Sequence, residues 1–397
     1  MPEFSRPLRV AMIGHGFMGA AHSQGWRVAP RVFDLASSPV MQVIVGRNSR
    51  AVAAAAAKWG WAEHSLDWRE VVERDDIDVV DIVTPGNSHA EIAVAALAAG
   101  KHVLCEKPLA NSVAEAVVMA DASRRAAERG IFSMVGFTYR RVPAVAFARE
   151  LVREGKLGDL RQIRAEYLQD WLVDPEAPLT WRMKKEFAGS GALGDIGAHA
   201  IDLAQFVTGD PIDAVSGILR TFVSERPVLE VPLGLSGTAS AERGEVTVDD
   251  LALFTGRFRS GALGSFEASR MRTGRKNALR LEISGSFGSI SFDLERQNSL
   301  QFYDATARST TRGFTEILVT EPGHPYLSGW WPAGHMLGYD HSFSNQVFDF
   351  VSAIDARTQP QPSFVEGLQV QRVLAAVEES SSNGSAWIST IPVPAFA

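Results

Sequence analysis

Apolar and polar residues along the first third of the chain follow two alternating patterns. Apolar runs of strand length predict buried strands, and apolar residues spaced three and four positions apart predict helices. The predicted strands cover residues 8–13, 41–45, 79–83, 102–105 and 131–137, and the predicted helices cover 20–28, 51–59, 89–99 and 112–129. Strands that alternate with helices at this spacing predict parallel βαβ units with right-handed crossovers.

After Tyr139 the pattern changes. A helix is predicted over 143–153, a strand over 160–167, an irregular segment over 169–187 and a helix over 193–207. From Ala214 to Tyr303, strand-length runs separated by turns predict a mainly antiparallel sheet. Residues 231–248, rich in glycine, serine and glutamate, are predicted to form a mobile loop, and helices near 343–356 and 364–380 are predicted to end the chain.

Length and composition agree with two domains. The 397 residues are 46% hydrophobic and 21% charged, which supplies enough apolar material for a substantial core. The pattern predicts an α/β domain over residues 1–137 and an α+β domain over 138–397.

Charge and cysteine content exclude several classes of protein. The net charge is -7 and the basic residues are scattered, so a nucleic-acid partner is not expected. No apolar run approaches the roughly 20 residues that span a bilayer, and the first residues lack the layout of a secretion signal, so we expect a cytoplasmic protein. The single cysteine, Cys105, excludes an internal disulfide and a thiolate zinc cluster, and we expect it to be a buried strand residue. No metal site is predicted.

A glycine motif, Gly14-His15-Gly16-Phe17-Met18-Gly19, follows the first predicted strand. In such a motif Gly14 allows a tight turn, Gly16 lets the backbone approach a pyrophosphate, and Gly19 permits close packing of the helix that follows. The N–H groups at the start of that helix face the phosphates. The position at the start of a βαβ series therefore predicts a Rossmann dinucleotide-binding domain.

The end of the second strand bears on the choice of cofactor. A carboxylate at this position hydrogen-bonds the ribose hydroxyls of NAD and repels the 2′-phosphate of NADP. Here the strand is followed by Gly46, Arg47 and Asn48, without an acid, so NADP is mildly favoured over NAD. The alternative is that Arg47 is an ordinary solvated residue.

Two groups of residues suggest hydride chemistry. Glu106-Lys107-Pro108 follows the fourth strand, where a proline-fixed turn carries a lysine beside a carboxylate. Asp195 and His199 are four residues apart on a predicted helix, so both can reach a common cavity. We assign His199 as the base for a hydroxyl proton, Lys107 as a donor to the same oxygen, and Asp195 as a residue that orients the histidine or binds a neighbouring hydroxyl. The alternatives are a charge favoured at a helix N-terminus for Asp195 and a satisfied core histidine for His199.

Aromatic and polar residues in two irregular segments suggest a carbohydrate pocket. Flat aromatic faces suit the apolar face of a pyranose, and polar groups beside them can bind its hydroxyls. The candidates are Trp171, Trp181, Tyr326, Trp330 and Trp331, together with Gln169, Asp170, Arg182, His324 and His335. Large aromatic residues also pack inside proteins, which is the alternative for each of them. Arg182 can instead bind the cofactor or an anionic substituent.

Together these motifs resemble the Gfo/Idh/MocA family of sugar and inositol dehydrogenases. The residues that carry the resemblance are the glycine motif, Thr84, Pro85, Asn87 and His89, then Glu106-Lys107-Pro108, and Asp195 with His199. The resemblance implies a C-terminal domain whose open sheet mediates homodimers or homotetramers, and a catalytic set of Lys107, Asp195 and His199. It also implies that the nicotinamide side of the cofactor is lined by Thr84, Pro85, Asn87, His89, Glu106 and Lys107.

A narrower resemblance within this family extends to four further segments. They are Tyr167-Leu168-Gln169-Asp170-Trp171, Trp181-Arg182, Glu225-Arg226-Pro227 and His324-Pro325-Tyr326. They are similar to those of enzymes that oxidise the C3 hydroxyl of an anhydrosugar with NAD. The chain departs from the family pattern at Gly46, where an acid is missing, and at Thr138, where an asparagine is expected.

The resemblance implies an NAD(P)-dependent dehydrogenase that oxidises a secondary hydroxyl, such as that on C3, of a pyranose sugar, anhydrosugar or sugar derivative. The hydride passes to nicotinamide C4. Three alternatives stay open: an inositol dehydrogenase, an NAD-dependent glycosidase that uses transient oxidation, and a non-catalytic NAD(P)-binding sensor. The intact set of Lys107, Asp195 and His199 argues against the sensor.

Overall fold

Backbone contacts divide the chain into two units. The computed structural model describes residues 7–233 and 236–391. The first unit runs as far as Thr138 and also includes Gly338–Leu368, whereas the second comprises Tyr139–Leu337 and the chain from Gln369 onward. Residues 338–368, which we expected in the C-terminal domain, therefore pack within the first unit.

Strands and helices alternate through the first unit, as the hydrophobic pattern predicts. They are β1 (Leu8–Ile13), α1 (Phe17–Val32), β2 (Pro39–Val45), α2 (Ser49–Trp59), β3 (Glu63–Ser65), α3 (Trp68–Val72), β4 (Val79–Ile82), α4 (His89–Ala98), β5 (His102–Cys105), α5 (Val113–Ala127) and β6 (Ser133–Val135). The six strands are parallel and lie in the order β3-β2-β1-β4-β5-β6. This is the doubly wound order, in which the topological switch point lies between β1 and β4.

Two short elements of this unit were not predicted. The strand β3 has three residues with no buried side chain, and α3 has five residues. Neither is long enough to show a hydrophobic period, which explains why the pattern missed them. The central strands β4 and β5 are almost wholly buried, which is typical of a parallel sheet covered on both faces.

The elements after Tyr139 are mainly strands. They are α6 (Pro143–Arg153), β7 (Leu160–Leu168), α7 (Lys185–Ala188), α8 (Ala198–Thr208), β8 (Ile212–Arg220), β9 (Glu225–Leu233), β10 (Ser236–Glu245), β11 (Leu251–Phe258), β12 (Leu263–Ser269), β13 (Ala278–Gly285), β14 (Gly288–Asp293), β15 (Ser299–Asp304), β16 (Phe314–Leu318), α9 (Tyr339–Asp355), α10 (Phe364–Ser382) and β17 (Ile388–Ser389).

The second unit is built on a nine-stranded sheet with one open face. Its strand order is β16-β15-β14-β13-β7-β12-β11-β8-β17, and every pairing is antiparallel except that of β12 with β7. The predicted fold class, with a mainly antiparallel open sheet, is confirmed. The helices α6 and α8 pack on this sheet. Along β11 buried residues such as Phe254 alternate with exposed ones such as Leu253, so one face is packed and the other is open.

The predicted mobile loop over 231–248 is wrong in the part that the structure describes. β9 and β10 form an antiparallel pair whose register runs from Ser236 opposite Leu233 to Glu245 opposite Glu225. Residues 234–235 lie outside the described residues. Small and charged residues interrupt the apolar alternation in this segment, so the sequence shows no clear strand period.

The helix predicted over 193–207 begins with a π-helical turn. Residues Leu193–Gly197 form that turn, and α8 continues from Ala198. Single π-turns within helices frequently lie at functional sites.

The helix α9 completes the first unit by packing along α1. A Cβ added at Gly25 would lie 2.9 Å from the backbone oxygen of Phe343, so the two helices approach closely at this glycine. The rings of Phe33 and Phe348 stack with their centroids 4.4 Å apart. Among the described residues, the helices are all too short or too polar to span a bilayer.

Candidate active site

The glycine motif forms the turn from β1 into α1. Gly14 has a φ of +113°, and a Cβ there would lie 2.9 Å from the backbone oxygen of Val83. A Cβ at Gly19 would lie 2.9 Å from the backbone oxygen of Gly14, whereas Gly16 faces open space. No side chain caps the start of α1, and its first turn carries no acid. The exposed backbone and the helix N-terminus therefore fit a pyrophosphate, and the residues present fit a dinucleotide.

The side chain of His15 lies beside Gly46, the residue that follows β2 where an acid is missing. A Cβ on Gly46 would lie 2.2 Å from Cδ2 of His15, so any side chain at this position requires the imidazole to move. Arg47 and Asn48 are exposed, and Asn48 Oδ1 accepts a hydrogen bond from the N–H of Ala51, which caps α2. Arg47 is therefore the charged side chain nearest in sequence to the end of this strand.

His89 holds two turns at the carboxyl edge of the parallel sheet together. Its Nε2 lies 2.9 Å from the carbonyl oxygen of Thr84, and its Nδ1 lies 3.0 Å from that of Pro108. Burial lowers the pKa of His89, although the two carbonyls and the charge of Glu106 act in the opposite direction. The ring is 1% exposed, so the geometry gives His89 a structural task, and its contact with a cofactor stays a prediction. Thr84, Pro85 and Asn87 are more accessible.

Glu106-Lys107-Pro108 follows directly on β5. The N–H of Glu106 donates to the carbonyl of Ile82 at 2.9 Å, which continues the pairing of β5 with β4. The Glu106 carboxylate turns back and accepts the N–H of Lys107 on Oε2 at 3.2 Å. Glu106 is 4% exposed, while Lys107 is half-buried. The expected support of the Lys107 turn by Glu106 therefore has a direct contact.

Behind Glu106 lies a buried charge cluster that sequence reasoning missed. His22 Nδ1 lies 2.9 Å from Asp81 Oδ2, and His22 Nε2 lies 3.0 Å from Glu106 Oε1. The indole N–H of Trp26 donates to Asp81 Oδ2 at 2.7 Å. Burial lowers the pKa of His22, but the charges and hydrogen bonds of Asp81 and Glu106 outweigh it and raise that pKa to about 10. An acid inside the apolar run Val79–Ile82 was the available signal.

Cys105 is the buried strand residue that we expected. It is 0% exposed in β5. Burial, together with the charges of Glu106 and Asp81, raises the pKa of its thiol well above the usual value. A reactive thiolate is therefore disfavoured.

In the second unit, Asp195 lies in the π-helical turn, which a buried aspartate holds in place. Asp249 Oδ1 accepts the N–H of Gly191 at 2.7 Å, and its Oδ2 accepts that of Leu193 at 2.8 Å. A Cβ on Gly191 would lie 1.8 Å from the backbone oxygen of Asp249, so this contact requires glycine. Burial raises the pKa of Asp249, against the opposing effects of Arg270 and of these N–H groups.

A buried arginine faces Asp195. Arg270 is 0% exposed, and its Nη1 lies 3.7 Å from Asp195 Oδ2. Its guanidinium also donates to the backbone oxygens of Arg182 at 3.2 Å and of Asp249 at 3.1 Å. Burial lowers the pKa of Arg182, which the charge of Asp195 raises and that of Arg270 lowers further. The Arg182 guanidinium lies over the ring of Trp181. One cluster thus contains Asp195, Arg182 and Trp181. Arg270 also belongs to it and was not predicted from the sequence.

His199 is buried and packs against two tyrosine rings. The ring centroids of Tyr139 and Tyr167 lie 4.7 Å and 5.8 Å from that of the imidazole. The two phenol oxygens are 2.8 Å apart, and Tyr167 also donates to Asn277 Oδ1 at 2.8 Å. A hydrogen-bonded pair of phenols therefore supports the imidazole of the predicted base.

The same asparagine holds part of the predicted carbohydrate pocket. Gln169 Nε2 donates to Asn277 Oδ1 at 2.8 Å, and the indole N–H of Trp171 donates to Gln169 Oε1 at 2.9 Å. Asp170 is paired instead with Lys276 at 2.8 Å. Gln169 and Trp171 therefore have fixed orientations, and Asn277 was not predicted.

The other predicted pocket residues lie in the loop after β16. His324 packs against Phe147 of α6, with ring centroids 4.9 Å apart. Tyr326 has a φ of +67°. Trp331 is 65% exposed, and the exposed His335 has its Nδ1 2.7 Å from the carbonyl oxygen of Pro332. His324 therefore packs against α6, and His335 contacts its own loop. The role of these residues toward a substrate stays a prediction.

The arrangement defines a class of protein. A parallel sheet in the order 3-2-1-4-5-6 with a glycine turn at its switch point is a Rossmann dinucleotide-binding fold. A lysine and a buried carboxylate stand at the same edge of the sheet, and the second unit holds an acid and a histidine on one helix. This combination is typical of an oxidoreductase that uses a dinucleotide.

Comparison with known proteins shows the family. Residues 8–137 match the oxidoreductase family with an NAD-binding Rossmann fold, and residues 145–291 match the GFO/IDH/MocA C-terminal domain. Levoglucosan dehydrogenase of Pseudarthrobacter phenanthrenivorans is 42% identical over 393 residues, which cover 98% of this chain and 99% of that protein. The chain therefore belongs to the Gfo/Idh/MocA family, and it is an NAD(P)-dependent oxidoreductase of CH–OH groups. The predicted family is confirmed.

Two solved structures agree with the fold over nearly the whole chain. The crystal structure of an oxidoreductase domain protein from Kribbella flavida has a TM-score of 0.93 at 60% identity and covers 98% of this chain and 100% of its own. Levoglucosan dehydrogenase in complex with NADH and levoglucosan has a TM-score of 0.91 at 41% identity, covering 97% of this chain and 100% of its own.

Proposed function

We propose that the protein oxidises a secondary hydroxyl, that on C3, of a pyranose sugar, anhydrosugar or sugar derivative. One observation carries the proposal: Glu106 and Lys107 follow β5 while the glycine turn follows β1, and both strands pair with β4. The carboxyl edge of a doubly wound sheet is where such folds bind ligands. The hydride acceptor and the lysine are thereby assigned to one edge of the first unit.

Bound NAD(P) supplies the hydride acceptor at nicotinamide C4. The residues that would hold it are those of the glycine turn, with Arg47 and Asn48 after β2, and Thr84, Pro85, Asn87, Glu106 and Lys107 at the nicotinamide end. Arg182 is a further candidate for binding the cofactor. Its position beside Trp181 and Asp195 favours a role toward the substrate instead. NADH in the levoglucosan dehydrogenase complex supports NAD as a cofactor.

We propose that NADP is accepted as well as NAD. No acid follows β2 to repel a 2′-phosphate, and Arg47 is exposed. An exposed guanidinium can form a charge-assisted hydrogen bond with a phosphate.

The proposed reaction removes a hydride from the carbon and a proton from its hydroxyl, leaving a ketone. His199 accepts the hydroxyl proton, as a neutral imidazole can near neutral pH. Lys107 donates a hydrogen bond to the same oxygen and stabilises its developing negative charge. Asp195, held opposite Arg270, binds a neighbouring hydroxyl or orients His199.

The substrate class is supported by the second unit and by relatives. Gln169 and Trp171 form a fixed polar edge and an aromatic face, a combination that suits a pyranose. The remaining assigned groups are Trp181, His324, Tyr326, Trp331 and His335. Levoglucosan, which stands in the name of the relative, is an anhydrosugar.

A substrate panel tests the proposal. Purified protein is incubated with NAD or NADP and with pyranoses, anhydrosugars and cyclitols, and cofactor reduction is followed by absorbance. We expect reduction with a pyranose or anhydrosugar and identification of a 3-keto product by NMR. Reduction only with cyclitols would favour an inositol dehydrogenase, and net hydrolysis of a glycoside without reduced cofactor would favour a glycosidase. No turnover with any of them would overturn the proposal.

We also propose that two copies of the chain associate through the open sheet face. Three exposed apolar side chains lie there: Ile218 at 58%, Leu253 at 41% and Leu263 at 57% exposure. Leu253 lies directly opposite Ile218 in the pairing of β11 with β8. An apolar sheet face of this kind favours burial against a second copy.

A further inference from the structure

The turn that carries Lys107 is supported from behind by His22. Both nitrogens of this imidazole face carboxylates, Asp81 at 2.9 Å and Glu106 at 3.0 Å. A neutral imidazole has one N–H, so it would present a lone pair to one of the two carboxylates. Only the imidazolium donates to both. All three residues are at most 4% exposed, so both contacts are shielded from bulk solvent.

We propose that His22 is a positioning residue that, as an imidazolium, holds the Glu106 carboxylate and through it the Lys107 turn. The path has three contacts. Asp81 anchors one side of the imidazole, the other side donates to Glu106 Oε1, and Glu106 Oε2 accepts the backbone N–H of Lys107. The inference rests on the proposed function, because the task of Lys107 there is to donate to the reacting oxygen.

The Glu106 carboxylate lies close to the backbone of Gly136. A Cβ added at Gly136 would lie 2.8 Å from Glu106 Oε1. A side chain at position 136 would therefore crowd the carboxylate, and the glycine leaves space for it. Asp81 accepts a further hydrogen bond from Trp26 at 2.7 Å. The imidazole therefore lies between two carboxylates, each with a further close neighbour.

The charge balance of the cluster suits the lysine beside it. Two carboxylates and one imidazolium leave one buried negative charge next to Lys107. The neighbouring groups respond to that charge: Glu106 and Asp81 raise the pKa of the Cys105 thiol, in addition to the larger effect of burial. Without the imidazolium, two unpaired carboxylates would share one buried space, which is strongly unfavourable.

The first test compares two His→Gln substitutions. In His22→Gln both N–H donors are on one nitrogen, so an amide that donates to one carboxylate turns its acceptor oxygen toward the other. We expect kcat to fall between about 10-fold and 100-fold because Lys107 is misplaced. The sugar KM and the affinity for NADH should change by less than about twofold, since uniform binding is not touched. The control is His102→Gln at the start of β5, where the imidazole accepts the N–H of Phe132 and does not face Glu106. Equal losses of kcat in the two variants would overturn the inference.

A double-mutant cycle separates this role from general damage. In a Glu106→Gln background, His22→Gln should change kcat by less than about twofold, because the path through Glu106 is already broken. If the fold-losses of kcat caused by the two substitutions instead multiply, His22 does not act through Glu106 and the inference fails.

A readout without turnover distinguishes a failure of this inference from a failure of the proposed function. Side-chain ¹⁵N NMR of His22 in the unmodified protein distinguishes the imidazolium from the neutral ring at pH 8. We expect the imidazolium, and Glu106→Gln should lower its titration midpoint. A neutral ring overturns the inference, even where His22→Gln does not fold. Absence of turnover with every sugar would overturn the proposed function while leaving this measurement valid.

Discussion

Two charged side chains of the described residues, His22 and Arg270, are buried in contact with other charges or with backbone groups. His22 lies between Asp81 and Glu106, and Arg270 lies between Asp195 and two backbone carbonyls. A buried charge without a partner costs several kcal/mol, so each of these side chains depends on its neighbours. Single substitutions, each compared with a control at an exposed position, therefore test whether a side chain acts in the reaction or only in the fold.

Lys107→Ala should lower kcat by about 100-fold to 1,000-fold, the usual effect of removing one donor to a developing oxyanion. Binding of NADH should stay within about threefold, because the glycine turn proposed to bind the pyrophosphate is unchanged and Lys107 is one of several groups at the nicotinamide end. Stopped-flow absorbance and nucleotide fluorescence titration measure the two quantities. Lys58→Ala, at an exposed position of α2, is the control. A rate equal to that of the control would refute the role of the lysine.

Arg47→Asp should lower kcat/KM for NADP by about tenfold or more while leaving that for NAD unchanged or higher. The reason is that one charge-assisted hydrogen bond contributes about 1.5 to 3 kcal/mol and a new carboxylate repels the 2′-phosphate. The comparison uses both cofactors at a fixed sugar concentration. Arg125→Asp, on the exposed side of α5, should alter neither value. Equal losses with both cofactors would show that Arg47 does not select between them.

The raised pKa of His22, about 10 against an ordinary value of 6.5, has a consequence for stability. A cation with a raised pKa stabilises the fold fully below its unfolded value, and this stabilisation is lost as pH rises through the folded value. His22→Gln should therefore cost about 3 kcal/mol or more near pH 6, and its deficit should shrink between about pH 6.5 and pH 10. Urea unfolding of both proteins across that range measures it. A deficit that grows with pH would contradict the pairing.

At the level of elements, the start of α8 depends on a contact from a distant loop. The π-helical turn Leu193–Gly197 presents Asp195, and Asp249, 58 residues away from Gly191 in sequence, accepts the N–H groups that precede it. Sequence periodicity indicated a helix here but not its irregular first turn. The turn arises from the backbone contact with Asp249, which local propensity does not encode.

Gly191→Ala should destabilise the protein by about 1 to 3 kcal/mol, the cost of overpacking a close contact. The added Cβ would lie 1.8 Å from a backbone oxygen that cannot rotate away. Turnover should fall as well, because the turn carries Asp195. Gly313→Ala is the matched control, since its Cβ meets nothing within 4 Å. Urea unfolding and kcat are measured for both, and equal stability of the two variants would contradict the close approach.

At the level of the whole molecule, the chain does not divide at one point. Residues 338–368 belong with the first unit, and the chain from Gln369 belongs with the second. The helix α9 packs against α1, where Phe343 lies close to Gly25, and Phe348 of α9 stacks on Phe33. A hydrophobic pattern shows that α9 has an apolar face, but not which apolar face it meets.

Leu253→Asp tests the proposed association through the open sheet. Two copies that bury this face would bring buried carboxylates together, so the dissociation constant should rise at least about tenfold. Sedimentation velocity over a range of concentrations measures the change. Val118→Asp, at an exposed apolar position of α5, is the control and should not alter the assembly. A protein that is monomeric before substitution would refute the proposal.

The amino-acid sequence by itself predicted the α/β class, most of the helices and strands, the glycine turn and the family, and it proposed a lysine, an aspartate and a histidine as the catalytic set. These features are local: a period of two or 3.6 residues, or a motif whose members are a few positions apart. Folding alone joined His22 to Glu106 across 84 positions, and Tyr167 to Asn277 across 110. It also joined α9 to the first unit. Such pairings depend on the order of the strands in the sheet and on which buried charges come together. Neither can be predicted from the residues next to any one position in the sequence.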